Sequence, residues 1–136
     1  MNTKTYDQER ARIYFENRVA FTTGPHELQI LLEGSASGNF QVVDVRFPAD
    51  FEKAHVPGAI NLPMPKWGNA SFLAEHLNKD ATLYLYCYTP TCHMAAEAAA
   101  KLIAAGYKVV EVEGGWQSWE SSGYAVETGS SKQKAA

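Results

Sequence analysis

The chain has 136 residues, of which 46 % are apolar, and a formal net charge of -3, which fits one domain with a single core and leaves no room for a second. It carries no block of basic residues to track a phosphate backbone or an acidic membrane, so nucleic acid is not expected as a partner. No run approaches roughly 18 apolar residues and the start Met1-Asn2-Thr3-Lys4 is polar, so neither a membrane span nor a secretory signal is expected and the expected location is the cytoplasm.

In chain order, Tyr6 to Arg18 mixes charges with Ile13, Tyr14 and Phe15 and is expected as an amphipathic helix on the outside of the domain, followed by a short edge strand at Val19-Ala20-Phe21. Thr23-Gly24-Pro25 opens a second helix, with Leu28, Leu31 and Leu32 inward and Gly34 at its end. After a turn over residues 35–39, Phe40 to Val45 is apolar enough for a buried central strand. Pro48 to Ala54 reads as a short helix or turn, Ala59-Ile60-Asn61-Leu62 as a strand closed by Pro63, and Ser71 to Asn78 as a helix. Thr82 to Tyr86 is a strand, and Met94 to Ala105 is a helix with seven alanines and no breaker. Gly106 then caps, Lys108 to Val112 is a last strand, and Gly114-Gly115 turns into Trp116-Gln117-Ser118-Trp119. Strands alternating with helices predict an α/β fold, a mostly parallel sheet of four or five strands with helices on both faces. Residues 1–22 form an N-terminal extension, 23–127 the domain, and 128–136 a small, polar tail expected to be disordered.

The chemistry concentrates in Cys87-Tyr88-Thr89-Pro90-Thr91-Cys92-His93, between a strand and a helix. A helix start offers unpaired backbone N–H groups and a partial positive charge, so an anion just before it is stabilised. Cys87, at the carboxyl end of its strand, is expected to be that anion: a thiolate nucleophile with a lowered pKa in a cradle of loop amides. Two thiols five positions apart read as reduced and reactive rather than as a staple. Cys92 has two readings, a resolving thiol that attacks an oxidised Cys87 or a packing residue of the first helical turn. His93 either assists as a cation or points to solvent. Tyr88 and Thr89 are placed to meet a partner or acceptor, with Thr91, Cys92 and His93 completing the anion loop. A metal site built on Cys87, Cys92 and His93 is not expected, because the spacing is cramped and no fourth ligand is evident.

Four stretches carry a family resemblance: Val43-Asp44-Val45-Arg46, Ala54-His55-Val56-Pro57-Gly58-Ala59-Ile60-Asn61-Leu62-Pro63, Tyr86-Cys87 with its loop, and Glu113-Gly114-Gly115-Trp116-Gln117-Ser118-Trp119. Together they resemble a single-domain rhodanese, a sulfurtransferase that carries sulfane sulfur as a cysteine persulfide. The resemblance implies a rhodanese-like fold, a Cys87 persulfide, no cofactor, a small sulfur-containing substrate, and a thiophilic acceptor that can itself be a protein. It also implies supporting roles for Asp44 and Arg46, a pocket-shaping role for Trp116, and a turn-fixing role for His55. The loop departs from the family pattern at Pro90, where Gly is usual, and at Cys92, where Arg is usual. Pro90 has no N–H to donate, and Cys92 removes the cation that would meet a dianion such as thiosulfate. Related phosphatases and arsenate reductases place an Arg where this chain has His93, which disfavours phosphoryl chemistry here. A non-catalytic module that docks a partner or senses oxidation through Cys87 and Cys92 is the remaining alternative.

Overall fold

The computed structural model describes residues 5–34 and 39–130. Helix α1 (Gln8–Phe21) leads into β1 (Thr22–Thr23), α2 (Pro25–Glu33), β2 (Phe40–Asp44), α3 (Pro48–Lys53) and β3 (Ile60–Asn61). A 3-10 turn (Met64–Lys66), α4 (Ala70–His76), β4 (Thr82–Tyr86), α5 (Met94–Ala104), β5 (Lys108–Val112) and α6 (Gly115–Ser121) follow. The five strands form one parallel sheet in the order β1-β5-β4-β2-β3. Side chains alternate across a strand. Val43, Leu83 and Leu85 therefore pack on one face against Leu73, Ala98 and Leu102 of α4 and α5. Val42 and Tyr86 turn to the other face, against Leu28, Phe51 and Trp119 of α2, α3 and α6. Both faces are covered, as the near-continuous apolar strands predict, and the α/β architecture expected from the sequence, a parallel sheet with helices on both faces, is the one observed.

The N-terminal extension differs from expectation in two ways. Ile13, Tyr14 and Phe15 are consecutive, so on a helix they step by about 100° and share no face; α1 has no buried residue and is not amphipathic. Val19-Ala20-Phe21 form its last turn rather than an edge strand, because nothing interrupts the helix at Arg18. Thr22 ends it, with its N–H and its hydroxyl both turned to the Arg18 carbonyl. The edge strand is β1, which pairs with Glu111 and Val112 of β5. At the other end, Glu127 exchanges backbone hydrogen bonds of 2.9 and 2.8 Å with His55, and the Gly129 N–H donates to the Glu52 carbonyl at 2.7 Å. The chain thus stays attached to the domain as far as Gly129; residues 131–136 and the expected turn at 35–38 lie outside the described residues.

At the carboxyl ends of β2 and β4 sits a buried charged group. The Asp44 carboxylate accepts hydrogen bonds from the Arg46 N–H (2.9 Å), the Arg46 guanidinium (2.8 and 3.1 Å) and the Tyr86 hydroxyl (2.6 Å). The guanidinium also donates to the Ala54 carbonyl at 2.6 Å and lies 4.6 Å from the Trp116 ring centre. Asp44 and Arg46 are 0 % and 3 % exposed, and such burial is tolerable because the two charges are paired and hydrogen-bonded. His55, also buried, stacks on Phe51 and bonds through Nδ1 to the Phe51 carbonyl at 2.7 Å, so its ring braces the end of α3. Replacing Arg46 by Ala strands the Asp44 charge. The expected loss is about 3–5 kcal/mol of unfolding free energy, read from urea denaturation at neutral pH; a loss below about 1 kcal/mol would show that the pair does not hold the strand ends together.

Candidate active site

The cysteine loop leaves β4 after Tyr86 and enters α5 at Met94, with His93 as the N-cap residue. Inside it the Cys92 N–H donates to the Thr89 carbonyl at 3.1 Å, closing a turn around Pro90 and Thr91. The first turn of α6 docks underneath, where the Trp116 N–H donates to the Cys87 carbonyl (2.8 Å) and the Gln117 N–H to the Tyr88 carbonyl (2.9 Å). These bonds hold the loop carbonyls toward α6 and leave the loop amides for the sulfurs. The approach is close enough to require glycine. A Cβ on Gly115 would lie 2.8 Å from the Cys87 carbonyl oxygen and 3.0 Å from the Thr89 nitrogen, and one on Gly114 would meet the Ser118 side chain; both residues have positive φ, at 62° and 88°.

Two sulfurs share the loop. Cys87 is 3 % exposed and packs in the core cluster with Leu85 and Ala95. Its S–H reaches the Cys92 carbonyl at 3.5 Å, and the Cys92 side chain and the amides of Ala95 and Tyr88 lie close enough to act on its ionisation. Burial, then the Cys92 contact, push the Cys87 thiol up to about 11. Cys92 is half-buried. Burial raises its thiol too, but the hydrogen bond from the Cys87 thiol and the amides of Tyr88, Met94 and Thr89 outweigh it, and its pKa lies below the ordinary thiol range. The expectation of a lowered pKa at Cys87 is therefore corrected: the amide cradle exists, yet the first proton to leave the pair comes from Cys92. The physical reason is depth, since Cys87 sits against hydrocarbon whereas Cys92 sits at the rim, where more amides converge.

The sulfurs line an open pocket of about 440 Å³ bordered by Cys87, Thr89, Cys92, His93, Glu111 and Glu113. Burial and the Glu113 charge raise the Glu111 carboxyl, with His93 pulling the other way. Glu113 meets Arg18 of α1 at 3.0 Å. The two glutamates escaped the sequence reading; their signal was that β5 lies beside β4, so residues ending β5 must flank the cysteine loop. Thr89, Thr91 and His93 are exposed as the loop expectation required. Tyr88 is not free: its hydroxyl accepts from the Phe47 N–H (3.1 Å) and donates to Asp50 (2.5 Å), and burial together with Asp50 pushes it up to about 12. Asp44 and Arg46 lie beneath the loop, and the Trp116 ring stacks on Tyr86 and Arg46 away from the pocket, so Trp116 shapes the site through its backbone rather than as a wall.

The rhodanese-like domain model matches residues 27–122. Thiosulfate sulfurtransferase GlpE of Pseudomonas syringae is 33 % identical over 105 residues, covering 76 % of this chain and 90 % of that protein. An HTH-type transcriptional regulator of Mycobacterium tuberculosis is 34 % identical over 99 residues, covering 73 % of this chain but only 42 % of the regulator; the chain thus spans less than half of that relative. Among solved structures, the BH2092 protein of Bacillus halodurans superposes with a TM-score of 0.81 at 30 % identity, covering 90 % of this chain and 87 % of the other.

Two outcomes follow from the geometry of the loop. In a timed iodoacetamide reaction followed by peptide mapping, Cys92 is modified first near neutral pH, and Cys87 gains reactivity only as the pH climbs toward about 11; equal rates at pH 7 would contradict the assignment of the first ionisation. Gly115→Ala drives a methyl into the Cys87 carbonyl and imposes a strained φ, so unfolding free energy falls by roughly 1–3 kcal/mol and the difference in reactivity between the two thiols shrinks. An unaltered denaturation midpoint would mean that the loop tolerates a looser α6.

Proposed function

The chain belongs to the rhodanese-like domain family, and on that premise we propose that it is a sulfurtransferase that carries sulfane sulfur as a persulfide on Cys87. The observation that carries this reading is the two cysteines lining one pocket, with the Cys87 thiol 3.5 Å from the Cys92 carbonyl in a loop whose carbonyls are held by α6. The Cys87 thiol is pushed up to about 11, so its attack needs a base, and Cys92, the neighbouring thiol with a lowered pKa, takes that part in its ionised form. As Cys87 attacks the outer sulfur of a persulfide donor R–S–SH, its proton passes to Cys92 and RS⁻ leaves. RS⁻ then takes that proton, which returns Cys92 to its ionised form. The Ala95 and Tyr88 amides stabilise negative charge on the Cys87 sulfur, and a thiophilic acceptor removes the outer sulfur in the second half-reaction.

The pocket favours one donor class. Glu111 and Glu113 line it, and no Lys or Arg does, so a dianion such as thiosulfate meets repulsion where a persulfide or polysulfide of lower charge does not. The exposed Thr89 and Thr91 leave room for a thiol carried on a small molecule or on a protein. A pair of reduced thiols fits a reducing compartment such as the cytoplasm. Among the described residues no helix is long and apolar enough to cross a membrane.

Treatment with glutathione persulfide, followed by intact mass measurement, should add one sulfur to the wild type and none to Cys87→Ser. With cyanide as acceptor, cysteamine persulfide, whose ammonium offsets the persulfide charge, should be used faster than thiosulfate by on the order of tenfold. Equal labelling of Cys87→Ser would remove Cys87 from the role, and a preference for thiosulfate would remove the electrostatic account of the pocket.

A further inference from the structure

Cys92 occupies the loop position where its own chemistry can act on whatever Cys87 carries. Its sulfur lines the same pocket as the Cys87 sulfur, and its carbonyl lies 3.5 Å from the Cys87 thiol. The two residues are joined across the single turn closed by the bond from the Cys92 N–H to the Thr89 carbonyl. No other thiol exists in the chain, and both are free. Once Cys87 is a persulfide, its inner sulfur is the atom that already neighbours Cys92.

We propose that the site carries out a second reaction, in which Cys92 attacks the inner sulfur of the Cys87 persulfide, expels hydrosulfide and leaves a Cys87–Cys92 disulfide. The step balances as Cys87–S–SH + Cys92–S⁻ → Cys87–S–S–Cys92 + HS⁻. One S–S bond forms as another breaks, the sulfane sulfur is reduced to sulfide, and the two cysteine sulfurs supply the two electrons. An external dithiol then reduces the disulfide by exchange and is itself oxidised. The domain thereby becomes a sulfane-sulfur reductase whenever a dithiol is present and an acceptor is not. Hydrosulfide is less basic than an ordinary cysteine thiolate, so it is the better leaving group, and attack on the outer sulfur would only move the persulfide to Cys92 and release nothing.

This inference rests on the sulfur-transfer reading, and one experiment separates the two. Wild type, Cys92→Ser and Cys87→Ser are incubated with glutathione persulfide, freed of excess donor by rapid desalting, and held without acceptor or reductant. Released sulfide is trapped with monobromobimane and each chain is weighed intact and after alkylation. The expected result is one sulfide per wild-type chain, matched by one alkylation-resistant disulfide. Cys92→Ser retains its added sulfur and releases none, and Cys87→Ser takes up none. Adding dithiothreitol with excess donor should make wild-type sulfide release catalytic, well beyond one sulfide per chain. Wild type that keeps its added sulfur with both S–S and thiol masses unchanged would overturn the second reaction while leaving sulfur transfer standing. Wild type that takes up no sulfur would overturn both. If Cys92→Ser loads too slowly to compare, a wild-type sulfide-to-disulfide ratio away from one to one overturns the proposal by itself.

Discussion

The site depends on the contact between the first turn of α6 and the backbone of the cysteine loop. Trp116 and Gln117 donate their N–H groups to the carbonyls of Cys87 and Tyr88, so two loop carbonyls are satisfied from below and the peptide planes are fixed. Peptide planes carry their donor opposite their acceptor. Holding the carbonyls toward α6 is therefore what turns the amides of Tyr88 and Thr89 toward sulfur. The contact leaves no space for a side chain at Gly115, which explains why a glycine pair precedes the aromatic segment. A loop lacking this support would have to satisfy the same carbonyls with its own amides or with water, and the sulfurs would lose their donors.

Beneath that contact the Asp44, Arg46 and Tyr86 group ties β2 to β4 and carries the Trp116 ring on the guanidinium. It consumes Arg46 fully. The arginine that lies beneath the loop is thus a structural one, and the pocket above is left with His93 and two glutamates. The basic residues near the site are spent on partners: Arg46 on Asp44 below the loop, and Arg18 on Glu113 at the rim. The sulfurs are polarised by amides and by each other, a source of stabilisation that does not attract anionic donors from a distance.

Much of the fold was legible because strand and helix periods differ. The apolar run from Phe40, the alanine helix and the β-branched run from Lys108 each carry one period and few breakers, and each formed where expected to within a residue or two. Val19-Ala20-Phe21 misled because three apolar residues fit a strand or a last helical turn equally well, and only the continuity of α1 decides between them. The cysteine loop was legible as a site from its junction between strand and helix. Its ionisation was not, because a helix start says that an anion is welcome nearby but not which of two sulfurs lies deeper. Glu111 and Glu113 were invisible as pocket residues for a different reason: they reach the cysteines only through the neighbouring of β4 and β5, a pairing across more than twenty residues.

By itself, the order of residues determined the alternating strands and helices, the parallel sheet, the placement of Cys87 at a strand end and the presence of a second thiol in its loop. These follow from short-range rules of propensity, capping and period, which act within a few residues. The tertiary structure alone decided that Cys92 ionises before Cys87, that Tyr88 and Trp116 brace the site rather than face it, and that the pocket is acidic. Each of these is a matter of burial or of charge at close range between segments distant in sequence, and both quantities come into being only when the chain has packed.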